Sequence, residues 1–224
     1  MTARDSTLLH VLNRGRKAYA PTLALQEKLV EQRRVDAIPD TLILVEHDPV
    51  YTLGRNAREE HVLLSRREMR RQGIELFRTS RGGDVTYHGP GQIVGYPILD
   101  LKRRRMGVVQ YVDSLEKVIL GVLEEFGIHG STDRRQRGVW INDNKIAALG
   151  VRITRYVTMH GFCLNVRTEL GHYRGIIPCG IHDKGVTSLD WLVPSVTMER
   201  VQELVIRHFV KVFGYTRWEA VEKP

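Results

Sequence analysis

Three parts of this sequence carry residue types that could do chemistry. The first is Cys179, in Ile176-Ile177-Pro178-Cys179-Gly180-Ile181. Proline fixes φ and glycine frees it, so this pattern predicts a fixed turn. A thiol on such a turn can be exposed close to backbone amides, where its thiolate is a strong nucleophile. The bland alternative is a small residue packed in a core. The second is Lys145, at the start of an apolar run in which Lys145, Ala147, Leu149, Val151 and Ile153 would share one face of a strand. A lysine there either reaches into water from the strand's first turn or is partly buried. Burial disfavours the ammonium, and a lysine tuned toward neutral can exchange a proton with a thiol. The third is Arg81-Gly82-Gly83-Asp84-Val85-Thr86-Tyr87-His88-Gly89-Pro90-Gly91-Gln92. Its glycines allow a backbone to approach a ligand, while Arg81, Tyr87 and His88 bring charge, an aromatic surface and a titratable ring. A plain loop explains the glycines and the proline but not the ring-rich company. Neither Gly-x-x-x-x-Gly-Lys-[Ser/Thr] nor Gly-x-Gly-x-x-Gly occurs, so no phosphate cradle is marked. The second cysteine, Cys163, sits in Phe162-Cys163-Leu164 and reads as core packing.

The elements that must position these residues follow from periodicity. Residues 17–34 read as a helix, with Tyr19, Leu23 and Val30 near the helical repeat and Pro21 tolerable only in the first turn. Residues 41–45 and 50–53 read as short strands around the turn Asp48-Pro49. Residues 74–101 are strand-rich, with a strand over 93–98. Val108, Tyr111, Val112, Leu115, Ile119, Val122 and Phe126 form one helical stripe, with Gly127 placed to end it. Strands over 138–141 and 145–153 are joined by Asn142-Asp143-Asn144, and 157–166 supplies another. A last helix over about 197–213 buries Val201, Leu204, Val205, Phe209, Val212 and Phe213. Interspersed helices and hairpin-linked strands predict an α+β fold, and with no linker or repeat the 224 residues read as one domain, 1–224.

Bulk composition narrows the class. No apolar run approaches the ~20 residues of a membrane-spanning helix, and residues 1–10 lack the order of a secretion signal. The expected setting is the cytoplasm, where two cysteines stay reduced. There is no Cys-x-x-Cys pair and no His-Glu-x-x-His, so no metal site is expected. The net charge of +8 would draw a polyanion or an acidic protein.

Taken together, ordered words in this sequence resemble the lipoyl(octanoyl) transferase family. They are residues 47–54 (His-Asp-Pro-Val-Tyr-Thr-Leu-Gly), Arg81 to Gln92, residues 95–101 (Gly-Tyr-Pro-Ile-Leu-Asp-Leu), Gly138-Val139-Trp140 and Lys145-Ile146-Ala147-Ala148-Leu149-Gly150. His160-Gly161, Leu164-Asn165-Val166, Pro178-Cys179-Gly180 and Val186-Thr187-Ser188-Leu189 follow in order. The resemblance implies a fold like the catalytic domain of biotin and lipoate protein ligases, a mixed sheet flanked by helices. It implies that Cys179 carries an acyl thioester with Lys145 as its partner. It further implies that Arg81, Gly82, Gly83, Asp84, Val85, Thr86, Tyr87, His88, Ala148, Leu149, Gly150, Gly161, Phe162 and Cys163 line the acyl site. Cys163 stands where the family usually has a small apolar residue such as alanine, and Arg137 where it commonly has proline. Asp84 and the residues past 195 match weakly.

The implied reaction moves octanoyl from octanoyl-acyl-carrier protein, through Cys179, to a lysine on the lipoyl domains of 2-oxoacid dehydrogenases and the glycine cleavage H protein. It needs neither metal nor cofactor, nucleic acid nor membrane. Ala147, Leu149 or their neighbours would hold the tail. Carrier and lipoyl domains are typically acidic, which suits a basic enzyme. The rivals are an ATP-dependent ligase of the same fold, which needs no nucleophilic cysteine, and a non-catalytic basic binding module.

Overall fold

The computed structural model describes residues 7–177 and 184–222. In chain order these form β1 (Leu8–Lys17), α1 (Tyr19–Arg34), β2 (Asp40–His47), β3 (Val50–Leu53), α2 (Arg66–Arg71), β4 (Glu75–Arg78), β5 (Val85–His88) and β6 (Gln92–Ile98). Then follow α3 (Val108–Glu124), β7 (Ser131–Thr132), β8 (Gly138–Ile141), β9 (Asn144–Thr154), β10 (Val157–Asn165), β11 (Gly185–Val186), α4 (Met198–Phe213) and β12 (Arg217–Ala220). The large sheet runs β12-β1-β2-β6-β10-β9-β8-β7, with β11 added beside β9. β1 is parallel to β2 and β12, whereas β2, β6, β10, β9 and β8 alternate in direction. A small sheet, β4-β3-β5, is also mixed. The chain leaves one sheet for the other at Asp48-Pro49, so the turn expected there joins two sheets instead of closing a hairpin.

One face of the large sheet is covered by α3 and α4. Tyr111, Leu115, Val118, Ile119 and Val122 on α3 meet Val201, Leu204, Val205 and Phe209 on α4, over Leu42, Leu44, Ile93, Ile146 and Leu164. Burying each such side chain stabilises by about 1.5–3 kcal/mol. α3 stops where Gly127 takes φ 69°, and α4 where Gly214 takes φ 69°. The other face carries α1, whose buried side is unexpectedly polar: Thr22, Gln26 and Arg33 alternate with Tyr19, Leu29 and Val30. Arg33 is stabilised there by Asp40, 2.7 Å away. Among the described residues no helix is long and apolar enough to cross a membrane.

Candidate active site

On the α1 side, a cleft partly open to solvent lies between the large sheet and the small one. Its lining brings together Arg81, Gly83, Asp84, Val85, Thr86 and His88 from the glycine-rich segment with Lys145, Ala148, Leu149 and Gly150 of β9 and Gly161, Phe162 and Cys163 of β10. Gly82 and Tyr87 stand outside it. Gly82 instead donates its N–H to Val151 O at 2.9 Å, tying the loop to β9. The Tyr87 ring is wholly buried against Tyr51 and Tyr173 in the core of the small sheet. β5 alternates, and Tyr87 falls on the inward parity.

Arg81 ties the glycine-rich loop to β3 at the cleft wall. Its guanidinium donates to Thr52 O at 2.5 Å, to Thr52 Oγ1 at 2.9 Å and to Gly82 O at 3.0 Å. It fits because Gly54 and Gly150 lack side chains: an added Cβ would sit 2.9 Å and 3.3 Å from Arg81 Nη1. His88 donates from Nδ1 to Gln92 Oε1 at 2.7 Å, and Gln92 Nε2 donates to Asn165 Oδ1 at 2.8 Å. Burial, with a lesser contribution from His47, pushes the His88 pKa down to about 3. Burial and then the Arg81 charge push His160 down to about 3. Both rings are neutral at pH 7. Burial raises the Cys163 thiol to about 11, so it keeps its proton.

The cleft-facing surface of the sheet differs from the one expected to hold an acyl tail. Ala147, Leu149, Val151 and Ile153 turn into the α3–α4 core, as does the Phe162 ring, so Leu149 and Phe162 offer the cleft backbone. The apolar side chains on the cleft face are Val94, Tyr96, Ala148 and Cys163. Lys145 faces the same way, because the β8–β9 ladder contains a bulge. Val139 pairs with Ala147 but Trp140 pairs with Lys145, leaving Ile146 as an extra residue in β9. Ile146 and Ala147 then both point into the core, and strict alternation fails. Lys145 is therefore a cleft residue on the side of Ala148 and Gly150, and not a member of the apolar row predicted for it. It is buried, donates to Arg137 O at 3.3 Å and lies 4.6 Å from the Trp140 ring centre.

β10 bends at the cleft floor. Pro97 of β6 has no N–H for the ladder, and the Thr158 hydroxyl donates to its carbonyl at 2.6 Å. His160 takes φ 58° and sends its N–H to Gln26 Oε1 at 3.0 Å. Sequence reasoning gave no site role to Tyr19, Tyr96, Arg137, His160, Asn165 or Tyr173, all of which line the cleft. Tyr96 and His160 lie inside the quoted words Gly-Tyr-Pro and His-Gly, which was the available signal. Tyr19 and Arg137 had none.

Cys179 lies outside the described residues. The chain on either side is tied to the cleft: Ile177 N–H donates to His61 O at 2.8 Å, and His61 holds Asp84. Val186 pairs with Lys145, and Thr187 N–H donates to Lys145 O at 3.0 Å. Among the described residues no three His, Cys, Asp or Glu side chains are grouped to hold a metal.

Residues 18–210 match the lipoyl protein ligase A/B catalytic domain. An octanoyltransferase from Alkaliphilus metalliredigens is 46% identical over 216 residues, covering 96% of this chain and 99% of its own. Among solved structures, a bipartite lipoate protein ligase from Thermoplasma acidophilum superposes with a TM-score of 0.74 at 17% identity, over 95% of this chain and 86% of that one. Biotin protein ligase from Aquifex aeolicus, with biotin and ATP, gives 0.55 at 15% identity, over 93% and 71%. The expected ligase-like fold is thus present, and at this sequence identity the chain belongs to the octanoyltransferases of the lipoyl protein ligase A/B catalytic-domain family.

Proposed function

We propose that this cytoplasmic enzyme, a single catalytic domain, takes octanoyl from an acyl-carrier-protein thioester onto Cys179 and passes it to a lysine amine of a lipoyl domain. The observation that carries the reading is Lys145, delivered by a bulge into a cleft whose histidines and buried thiol are unsuited to its task. His88 and His160 are too weakly basic at pH 7 to take a proton, and Cys163 does not release one. Lys145 accepts the Cys179 proton, and the thiolate attacks the donor carbonyl. The carrier leaves as a thiol, taking that proton from Lys145 and returning the lysine to its neutral form. The acceptor amine then attacks the new thioester, loses its proton to Lys145, and Cys179 leaves as the thiol. The first exchange replaces one thioester with another and is nearly isoenergetic, so ATP is not required. The second is downhill, thioester to amide.

Val94, Tyr96, Ala148 and Cys163 offer the octanoyl tail an apolar floor. At about 0.8 kcal/mol per buried CH₂, chain length becomes a selector. The acceptors are the lipoyl domains of 2-oxoacid dehydrogenases and the H protein of glycine cleavage. The Thermoplasma ligase is itself described together with an E2 lipoyl domain. The net charge of +8 favours encounter with acidic carriers.

Intact mass after incubation with octanoyl-acyl-carrier protein tests the reading. One octanoyl adduct, removed by hydroxylamine and lost in Cys179→Ala, is expected. No adduct in an active preparation, or efficient transfer from free octanoate plus ATP, overturns it.

A further inference from the structure

We infer that the buried carboxylate of Glu116 on α3 is a positioning residue for Lys145, acting through the single peptide unit that joins Arg137 to Gly138. The inference rests on Lys145 being the proton partner proposed above. Glu116 is 3% exposed. Its Oε1 accepts the Gly138 N–H at 3.1 Å, and its Oε2 accepts from Arg137 Nη1 at 2.8 Å. The carbonyl of that same peptide, Arg137 O, accepts from Lys145 Nζ at 3.3 Å. In a trans peptide the N–H and C=O point opposite ways. A buried anion therefore sits at one end of one peptide and a lysine amine at the other. A carboxylate pulling on the N–H increases the negative charge on the carbonyl oxygen, and hydrogen bonds in such a chain strengthen one another where the dielectric is low.

The peptide has little freedom to turn away. Gly138 takes φ 140°, and a Cβ there would lie 2.6 Å from Ala147 O and 3.2 Å from Lys145 Cε, so the lysine side chain runs directly over this glycine. Arg137 balances the charge of Glu116 and is shared with Asp113, 2.5 Å from the same Nη1. That balance matters, because an unpaired buried carboxylate is costly. Asp113 touches the guanidinium groups of Arg137 and Arg134, at 2.5 Å and 3.7 Å, and makes no bond to the peptide, which separates the two carboxylates experimentally. The plain alternative is that Glu116 merely satisfies an N–H and docks α3 on β8. That alternative leaves Lys145 indifferent to it.

The test is steady-state octanoyl transfer by the full chain, with Glu116→Gln and Asp113→Asn, each alone and combined with Lys145→Ala. Glutamine keeps an acceptor for Gly138 and nearly the same shape, and thermal midpoints verify folding. Glu116→Gln is expected to lower kcat about tenfold, with KM for the octanoyl carrier within about twofold. Asp113→Asn is expected to stay within about twofold of the parent. In the Lys145→Ala background, Glu116→Gln should cost nothing further, because the group it positions is gone. An undiminished kcat in Glu116→Gln, or an equal loss in both backgrounds, overturns the inference while a slow Lys145→Ala keeps Lys145 in its role. A full rate in Lys145→Ala overturns both together. Should Glu116→Gln fail to fold, Gly138→Ala, which displaces the same peptide, must show the same dependence on Lys145, and independence overturns the inference.

Discussion

Cys163 and Lys145 show how differently two reactive side chains can be treated within one cleft. Both lie on the cleft face of the large sheet, yet burial suppresses the thiol, while the lysine amine is held at the cleft by Arg137 O and the Trp140 ring. Cys163 is 3% exposed, flanked across the ladders by Val94 and Ala148, and burial holds its thiol at about 11. At pH 7.5 its thiolate fraction is negligible, so it behaves there as a small apolar side chain and not as a nucleophile. Cys163→Ala should accordingly leave the transfer rate within about twofold. Iodoacetamide at pH 7.5, followed by peptide mass spectrometry, should modify Cys179 and spare Cys163. Rapid labelling of Cys163 in the folded protein would contradict its burial. Lys145 reaches the cleft because Ile146 is one residue too many for the β8–β9 ladder. Deleting that residue restores strict pairing and would move Lys145 to the opposite face.

At the level of elements, the β9–β10 hairpin is under strain that a sequence change can relieve. Its two turn residues, Arg155 and Tyr156, take φ 50° and 69°, a conformation that suits Asn and Gly in a two-residue hairpin. Left-handed backbone costs a non-glycine residue roughly 1–2 kcal/mol. Arg155→Asn with Tyr156→Gly should raise stability by about 1–2 kcal/mol, read as a higher urea midpoint at unchanged m-value. The change gives up only a distant Lys102–Tyr156 ring contact of 5.9 Å. A lower midpoint would show that the Tyr156 ring matters more than its backbone. This hairpin also marks what was legible in advance. The strands on either side were readable as long apolar runs, and α3 and α4 as stripes, because one face of each is buried. β12 was not readable, since all four of its residues are exposed and no alternation survives. β1 escaped for a related reason: after Leu12 its residues are no longer core. The α1 face was misjudged because Gln26 is buried against His160, far away in the sequence, and Arg33 against Asp40 at the start of the next strand. A bulge leaves no mark in a single sequence, so Lys145 was assigned to the wrong face, while Ala148, Gly150 and Cys163 do line the cleft.

For the whole molecule, keeping three buried histidines uncharged has a cost that appears in acid. His47, His88 and His160 sit in or behind the cleft with pKa values pushed down to about 4, 3 and 3, burial being the largest cause for each. In the unfolded chain each returns to about 6.5. As pH falls through 6.5 the unfolded state takes up protons that the folded state refuses, so stability rises with pH in this range. The contribution is fully present above pH 6.5 and is lost progressively down to about pH 3–4, where the folded rings titrate as well. Each histidine contributes up to about 1.4 kcal/mol per pH unit, so the loss between pH 7 and pH 5 is on the order of several kcal/mol. Carboxylates of ordinary pKa, near 4, add little in that interval. Urea unfolding at pH 7, 6 and 5 should therefore show a slope approaching three protons. His160→Asn, which tolerates the left-handed backbone at that position, should reduce the slope by one. A free energy of unfolding that stays level from pH 7 to pH 5 would mean that these rings are solvated in the folded protein. The tail-binding floor proposed above would then be wet, and Val94, Ala148 and Cys163 could not select an eight-carbon chain. A steep slope instead supports that proposal, because the same exclusion of water that keeps the histidines uncharged would favour an apolar tail.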